Sequence, residues 1–262
     1  MKRFATVAAI LTLAFAANAC KSEYEALLSG NDTDAKYEAA FNYYNQGKYN
    51  RAAQLFESMS VMTSGTERDD TVQYYWAMSN YRYKDYYTAQ ANFESFVSKF
   101  PRSPFTENAR YLLLDCMYRG TLRYELDQTP TYSTISAISE YIIDYPDNPH
   151  MEECMAALDE LNGRLERKAY ENARLYYSLE DYEAASVALR NVIKDNAENR
   201  YREEVLYLIA MTSYKYADMS VPEKKHERFL VFRDDYLNFI AEYPESSHRN
   251  ELDNLFKRVR DI

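Results

Sequence analysis

Glycine and proline are scarce in this chain, and their scarcity excludes several kinds of fold and site. Only 5 Gly and 7 Pro occur among 262 residues. No two glycines stand close enough to build a phosphate-binding loop, so nucleotide and dinucleotide fingerprints are missing. A barrel or sandwich of many short strands needs frequent turns, and this composition does not supply them.

Cysteine and histidine are also rare, with 3 residues of each. No pair of them has the spacing of zinc ligands or of a redox dithiol, and His150, His226 and His248 lie far apart in the sequence. No nucleophile motif accompanies them. We therefore expect no metal site, no cofactor and no catalytic residues, and we interpret the chain as a protein that is not an enzyme. Cys116 and Cys154 stand in apolar helical patterns and are expected to be buried and unreactive.

Positive charge is in deficit, because 31 Lys and Arg face 41 Asp and Glu, a net charge of −10. Nucleic-acid binding depends on clustered cations, so this balance argues against a nucleic acid as partner. Long apolar runs are missing beyond the first 20 residues, since charged residues interrupt every later stretch. The sequence therefore predicts no transmembrane helix.

The N-terminus has the pattern of a secretory signal. Basic Lys2-Arg3 precedes an apolar run from Phe4 to Ala17, which is too short to span a bilayer. The run ends in Ala17-Asn18-Ala19-Cys20, which resembles the lipobox of bacterial lipoproteins, although Leu is usual where Ala17 stands. The resemblance implies a signal peptide of residues 1–19 and lipid attachment at Cys20. Ordinary cleavage beside an unmodified cysteine is the alternative.

The segment after the signal is polar and contains a loop at Ser29-Gly30-Asn31-Asp32. We interpret residues 20–33 as a lipidated, flexible tether between the membrane and the fold.

Tyrosine is the residue in excess, with 27 copies, and the rest of the composition is typical of helices. One ending recurs, made of two aromatic residues four apart, a proline directly after the second, and a turn. Its copies are Phe96-x-x-x-Phe100-Pro101, Tyr141-x-x-x-Tyr145-Pro146 and Phe239-x-x-x-Tyr243-Pro244. Aromatic residues four apart share a helix face, and the proline ends that helix. The interval between the copies predicts a further ending, without proline, near Asn196.

A second pattern precedes these endings and also occurs three times. Its copies are Gly47-Lys48-Tyr49 with Ala52 and Phe56, Lys84-Asp85-Tyr86 with Ala89 and Phe93, and Glu180-Asp181-Tyr182 with Ala185 and Leu189. The pattern resembles the turn and second helix of the tetratricopeptide repeat, where small residues let two antiparallel helices approach. The resemblance implies an all-α fold, a tetratricopeptide-repeat superhelix of about five helix pairs with a C-terminal helix.

The repeats are expected to divide the chain into two parts. Tetratricopeptide repeats 1–3 occupy residues 34–145, and repeats 4–5 with the terminal helix occupy residues 146–262. The fourth repeat has an unusually long first arm, and the sequence leaves open whether this helix breaks at Gly163.

The first helices of such repeats line a groove, and here the positions facing it are aromatic. The candidate peptide-binding residues in repeats one and two are Tyr37, Phe41, Tyr44, Tyr74, Met78, Tyr81 and Arg82. Those in repeat four are Arg167, Tyr170, Arg174 and Tyr177. Tyrosine offers a large contact area with one polar end, which suits extended or partly folded peptides. The alternative is that these rings pack between neighbouring repeats.

The lipobox, the five helix pairs and the ending at Phe100-Pro101 together resemble the BamD family, outer-membrane lipoproteins of the β-barrel assembly machinery. The resemblance covers roughly residues 34–244 and the lipobox. It implies a scaffold on the outer membrane, anchored by lipid and facing the periplasm; export to the cell surface, which Lys21-Ser22-Glu23 can favour, is the alternative. In that family the N-terminal repeats, here about 34–101, receive unfolded outer-membrane proteins. The C-terminal repeats, here about 150–262, hold a β-barrel insertase of the BamA type.

Two other binding functions fit a lipoprotein built from helical repeats. One is another periplasmic tetratricopeptide lipoprotein that coordinates cell-envelope or peptidoglycan machinery. The other is a surface nutrient-binding lipoprotein, although such proteins are usually longer and rich in Trp, and this chain has 1 Trp.

Overall fold

The structure is a computed structural model that describes residues 23–259, and every regular element in this range is helical. A short helical segment covers residues 23–29. The main helices that follow are α1 Thr33–Asn45, α2 Tyr49–Met59, α3 Asp69–Arg82, α4 Tyr86–Lys99, α5 Thr106–Arg119, α6 Thr129–Asp144, α7 Met151–Ser178, α8 Tyr182–Asp195, α9 Arg202–Asp218, α10 Pro222–Glu242 and α11 Arg249–Val259.

Two compact units make up the chain. The first contains the residues up to Thr121 together with Pro130–Met151, and the second contains Leu122–Thr129 together with the chain from Glu152 onward. The loop 122–129 thus belongs to the second unit, whereas the sequence placed it with the N-terminal repeats. Two side chains of α7 hold it there, because Arg164 and Lys168 donate hydrogen bonds to carbonyl oxygens of that loop, at 2.8 and 2.5 Å.

Each helix pair shares its core with the first helix of the next pair, as tetratricopeptide repeats do. In the first unit one buried cluster joins α1, α2 and α3, and the next joins α3, α4 and α5. In the second unit the clusters join α7, α8 and α9, and then α9, α10 and α11. The predicted small residues Ala52, Ala89 and Ala185 are fully buried in these clusters. The all-α fold of tetratricopeptide helix pairs with a C-terminal helix is therefore confirmed.

Hydrogen bonds between successive repeats recur at an interval of 34 residues, the length of a tetratricopeptide repeat. The bonded pairs are Asp34 with Arg68, Tyr74 with Asn108, Tyr81 with Asp115, and Arg110 with Asp144 in the first unit, and Glu166 with Arg200 in the second. Equivalent positions of neighbouring repeats thus bond directly to each other.

The repeated ending forms as predicted. Helices α4, α6 and α10 stop shortly before Pro101, Pro146 and Pro244, and α8 ends at Asp195 without a proline. A Ser or Asn follows two residues after each of these prolines, and also at the equivalent place after α8. Its side chain accepts a hydrogen bond from the backbone N–H of the residue two further along the chain. These bonds run from Phe105 to Ser103, His150 to Asn148, Tyr201 to Asn199 and His248 to Ser246.

The residue that donates this N–H also carries a ring, and the ring stacks on a tyrosine of the preceding first helix. The four stacks are Tyr74–Phe105 at 4.5 Å, Tyr111–His150 at 3.5 Å, Tyr170–Tyr201 at 4.7 Å and Tyr207–His248 at 4.0 Å between centroids. The aromatic excess is therefore used in part to join one repeat to the next. His150 and His248 belong to these stacks, so they are packing residues rather than isolated surface histidines.

The tight turns between paired helices share one backbone conformation. Gly47, Lys84 and Glu180 occupy the same position in the three copies of the turn pattern, with φ of 75°, 69° and 61°. Only glycine adopts this left-handed conformation without steric cost. Two of the three turns therefore carry backbone strain.

We expect Lys84→Gly and Glu180→Gly each to raise the free energy of unfolding by about 0.5–1 kcal/mol, because relief of the left-handed strain outweighs the entropy of glycine. Urea denaturation followed by circular dichroism measures the change. The matched control is Gly47→Ala, where no atom lies within 4 Å of the added Cβ. Gly47→Ala should lower the free energy of unfolding, and the loss measures the strain of the left-handed backbone alone. A rise in the free energy of unfolding of Gly47→Ala would contradict the argument.

Residues 23–29 correct one prediction, because they form a helix docked on the first repeat and are not a flexible tether. The Tyr24 hydroxyl donates to Gln54 at 2.6 Å, and its ring packs edge-on against Tyr43 at 5.5 Å. Buried Lys36 donates to the carbonyl oxygen of Leu28 at 2.9 Å. Burial lowers the pKa of this ammonium group. The sequence did not predict this docking, because the segment is mostly polar and only a few of its residues make the contacts.

Gly163 lies inside α7, which runs unbroken from Met151 to Ser178. A Cβ at this position would collide with the guanidinium group of Arg200. That group binds Asp159 at 2.6 Å and Glu166 at 3.3 Å. The glycine therefore makes room for an ion-pair network and does not break the helix.

Candidate functional site

The predicted aromatic stripe of the first repeat lies on α1 and meets α3. The ring of Tyr37 lies 4.9 Å from that of Phe41 and under the guanidinium group of Arg68, at 4.7 Å. The ring of Phe41 packs edge-on against Phe56 of α2, at 5.2 Å. Tyr37, Phe41 and Tyr44 are half-buried, so each packs against its neighbours and is still partly exposed to solvent.

Tyr75 is the residue that joins the stripe to the second repeat, and sequence reasoning missed it. Its ring contacts Phe41 at 4.7 Å and Tyr44 at 5.2 Å, both edge-on. Tyr75 directly follows Tyr74, and the sequence mapping chose Tyr74 for the groove. Only the rotation of α3 about its axis decides which of the two tyrosines faces α1.

Tyr74 is only 6% exposed, so the prediction that it faces the groove is wrong. Its ring stacks on Phe105, and its hydroxyl donates to Asn108 at 2.7 Å. The side chain therefore joins the second repeat to the third, as the alternative interpretation proposed.

Tyr81 and Met78 are half-buried on the same helix. The Tyr81 hydroxyl donates to Asp115 at 2.8 Å, and its ring contacts Tyr86 at 5.6 Å. Burial, together with the Asp115 carboxylate, raises the pKa of Tyr81. Its hydroxyl thus stays protonated and engaged, and Tyr81 offers a ligand part of its ring but little of its polar end.

Arg82 is the exposed member of the stripe, at the end of α3. Burial raises the pKa of Tyr44, and hydrogen bonding with Arg82 opposes this shift. The site that remains open to a ligand therefore consists of the outer faces of Tyr37, Phe41, Tyr44, Met78 and Tyr81, with Arg82 at its edge. We call this set the α1/α3 surface.

The candidate residues of the fourth repeat lie in the second unit, and they too include both buried and half-buried tyrosines. Tyr170 is buried in its stack with Tyr201, and Tyr177 is half-buried. Arg167 lies over the Tyr124 ring at 4.3 Å, and Arg174 pairs with Glu171 at 3.3 Å. These side chains mainly hold their own unit together.

The remaining reactive groups do not form a site. Cys116 and Cys154 are buried free thiols, as predicted, and burial raises the pKa of Cys116 to about 12. Within residues 23–259, no three His, Cys, Asp or Glu side chains gather in a way that could hold a metal ion. In the same range, no helix is both long and apolar enough to cross a bilayer.

Comparison with known proteins identifies the family. Residues 30–185 match the model of the YfiO family, described as outer membrane lipoprotein. The chain belongs to this family. The match covers more than half of the chain, from the first helix pair into the fourth.

Two named relatives match over longer stretches. The outer membrane protein assembly factor BamD of Caulobacter vibrioides is 22% identical over 204 residues, which is 77% of this chain and 67% of that protein. A second relative with the BamD name, from Aquifex aeolicus, is 27% identical over 208 residues, 79% of this chain and 68% of that protein. A solved structure, the TPR2AB-domain complex of yeast Sti1, aligns with 14% identity over 89% of this chain and 100% of that one, with a TM-score of 0.39.

Proposed function

We propose that this protein is a non-enzymatic scaffold lipoprotein of the outer-membrane β-barrel assembly complex. The observation that carries the proposal is the YfiO family match, which lies on the tetratricopeptide helix pairs. The relatives named as outer membrane protein assembly factors support the same assignment. Helix pairs of this kind bind other polypeptides on their surfaces, which suits a scaffold.

The α1/α3 surface is the proposed receptor for unfolded outer-membrane proteins, within residues 34–101. Strands of such barrels alternate apolar and polar residues. Half-buried rings such as Tyr37 and Phe41 can meet the apolar side chains, while the tyrosine hydroxyls and Arg82 can bond the polar ones directly or through water. Residues 150–262 would hold the insertase of the BamA type.

The proposed membrane anchor is a lipid on Cys20, with the protein on the outer membrane and facing the periplasm. Cys20 itself lies outside the described residues. It stands four positions before docked Tyr24, and four steps of extended chain span at most about 14 Å. A lipid at Cys20 would therefore hold the first repeat close to the membrane surface and not on a long tether.

Affinity purification of the tagged full chain from membranes in mild detergent tests the proposal. We expect the parent protein to recover a large β-barrel protein with periplasmic domains, together with unfolded barrel precursors. The variant Tyr37→Ala/Tyr44→Ala/Arg82→Ala should lose most of the precursors but keep the large barrel protein, because it alters only the α1/α3 surface.

The control variant is Tyr87→Ala, since this tyrosine is 88% exposed and lies outside the α1/α3 surface. Thermal melts must show that both variants stay folded. Recovery of peptidoglycan enzymes in place of a barrel protein would favour the alternative envelope function. A folded triple variant that recovers precursors as well as the parent would show that the surface is not the receptor.

A further inference from the structure

A cavity of about 370 Å³ opens in the second unit among α8, α9 and α10. Its volume is at the lower end of the range for binding sites. Two arginines, Arg190 and Arg228, line it together with Tyr216 and Ser213. None of these residues belongs to the α1/α3 surface or to the repeat stacks described above.

One of the two arginines is already neutralised. Asp235 is 7% exposed and accepts a hydrogen bond from Arg190 at 2.6 Å and another from the Ser213 hydroxyl. A buried carboxylate needs such partners, because burying an unpaired charge is costly. Arg190 and Asp235 thus form a satisfied pair in the wall of the cavity.

Arg228 has no such partner. Its guanidinium group lies over the Tyr216 ring at 3.9 Å and donates to the Tyr216 hydroxyl at 2.9 Å and to the Ser220 hydroxyl. Arginine has five N–H donors, and no carboxylate in residues 23–259 pairs with Arg228. The group is therefore fixed in orientation by neutral partners and retains donors and charge for a ligand.

A second carboxylate, that of Asp234, also lines the cavity, but its side chain is 67% exposed and it forms no ion pair with Arg228. Asp234 lies 3.5 Å from Arg233, and Glu183 accepts the Tyr216 hydroxyl at 3.2 Å. Among the described lining residues, Arg190 is paired with Asp235, whereas Arg228 has no carboxylate within ion-pair distance.

The apolar part of the rim is small and consists of two exposed valines. Val231 lines the cavity and is 47% exposed, and Val187, one turn before Arg190 on α8, is 60% exposed. Arginine and tyrosine at the centre of an apolar rim is the composition found where proteins bind each other most strongly. The rim can shield an ion pair between Arg228 and a bound carboxylate from water, and the lower local dielectric constant strengthens that ion pair.

We propose that this cavity binds an Asp or Glu side chain from an extended segment of a protein partner, with Arg228 as the anchor. Charge complementarity selects a carboxylate, and the apolar rim selects a polypeptide over a free small acid. The proposal rests on the proposed function only in placing a protein partner on residues 150–262. It adds the chemistry by which that partner is recognised.

The test uses the full chain in mild detergent and a capped, fluorescently labelled peptide of alternating Val and Glu. Fluorescence anisotropy at low salt should show binding to the parent, weakened about tenfold or more in Arg228→Gln, since a hydrogen bond to a charged group is lost. Lys224→Gln is the matched control, because it makes the same charge change on the same helix at an exposed residue that does not line the cavity. It should bind like the parent.

A second variant guards against a folding defect in Arg228→Gln. Val231→Asp places a competing carboxylate at an exposed position of the rim, and it should also weaken binding while the melting temperature stays unchanged. Equal binding by the parent and Arg228→Gln, or no binding at millimolar peptide, would overturn the proposal. So would binding of a Val–Gln peptide as tight as that of the Val–Glu peptide.

Free glutarate separates the two sources of a carboxylate. It should not displace the peptide at equal concentration, and displacement as effective as that by unlabelled peptide would overturn the choice of a polypeptide. The assembly function is judged separately by purification from membranes. Failure to recover a barrel protein, with Arg228-dependent peptide binding intact, would refute the assembly role and leave the cavity assignment standing.

Discussion

Tryptophan at Ala52, Ala89 or Ala185 will lower the free energy of unfolding by about 1–3 kcal/mol, or by more where the helices cannot separate. All three alanines are fully buried at the contact between paired helices. An indole there forces the helices apart, and every contact of the following repeat in the same cluster is disturbed. Urea denaturation of each single variant measures the loss.

The control for this series is Ala91→Trp, because Ala91 lies on the exposed face of the same helix as Ala89. It should change the stability by less than about 0.5 kcal/mol. If Ala89→Trp and Ala91→Trp were equally stable, the close approach of the helices at Ala89 would be refuted.

Above pH 10 the protein will lose stability steeply, because ten buried or half-buried tyrosines resist ionisation. Burial is the largest cause of the raised pKa of ten tyrosines, and the pKa of Tyr236 reaches about 12. They are Tyr24, Tyr44, Tyr74, Tyr81, Tyr170, Tyr177, Tyr182, Tyr207, Tyr236 and Tyr243.

The direction follows from proton linkage. Below pH 10 these hydroxyls are protonated in both the folded and the unfolded state, so their contribution to stability is complete. As the pH rises above 10, the unfolded chain releases these protons first, and its free energy falls relative to the folded state. Lys36 acts in the opposite direction, because its pKa is lowered in the folded state, but it is a single group.

The measurement is the urea midpoint between pH 8 and 12, followed by circular dichroism and by phenolate absorbance. Domains are stabilised by only about 5–15 kcal/mol, so ionisation of several buried hydroxyls is enough to unfold the protein. Tyr207→Phe should reduce the slope with pH, whereas Tyr87→Phe, at an exposed position, should leave it unchanged. A stability that stays constant up to pH 12 would contradict the burial of these rings.

The sequence by itself determined the paired helices of the repeats and the positions where most of them end. Prolines such as Pro101 stop a helix whatever surrounds it, because the missing N–H and the ring act within one turn. The spacing of Tyr49, Ala52 and Phe56 predicts a buried helix face for the same local reason. The repeated pattern then identified the repeat, and the structure confirmed its small buried residues.

The candidate site was only partly predictable. Periodicity brought α1 and α3 together with Tyr37, Phe41 and Tyr44 on one face, but it could not separate Tyr74 from Tyr75. Adjacent residues on a helix differ by about 100° in direction, and the rotation of α3 is set by contacts with α4 and α5. The burial of Tyr74 therefore depends on Phe105 and Asn108, residues of the next repeat.

Tertiary structure alone decided the features that join distant residues. Tyr24 docks because its ring packs against Tyr43 and its hydroxyl bonds to Gln54. Gly163 leaves space for the side chain of Arg200 and does not kink the helix. Arg228 remains unpaired because the fold gives it Tyr216 and places the nearest buried carboxylate with Arg190. Local patterns specify where a helix begins and ends, whereas the partners of a side chain depend on which helices pack beside it, and that packing is a property of the whole chain.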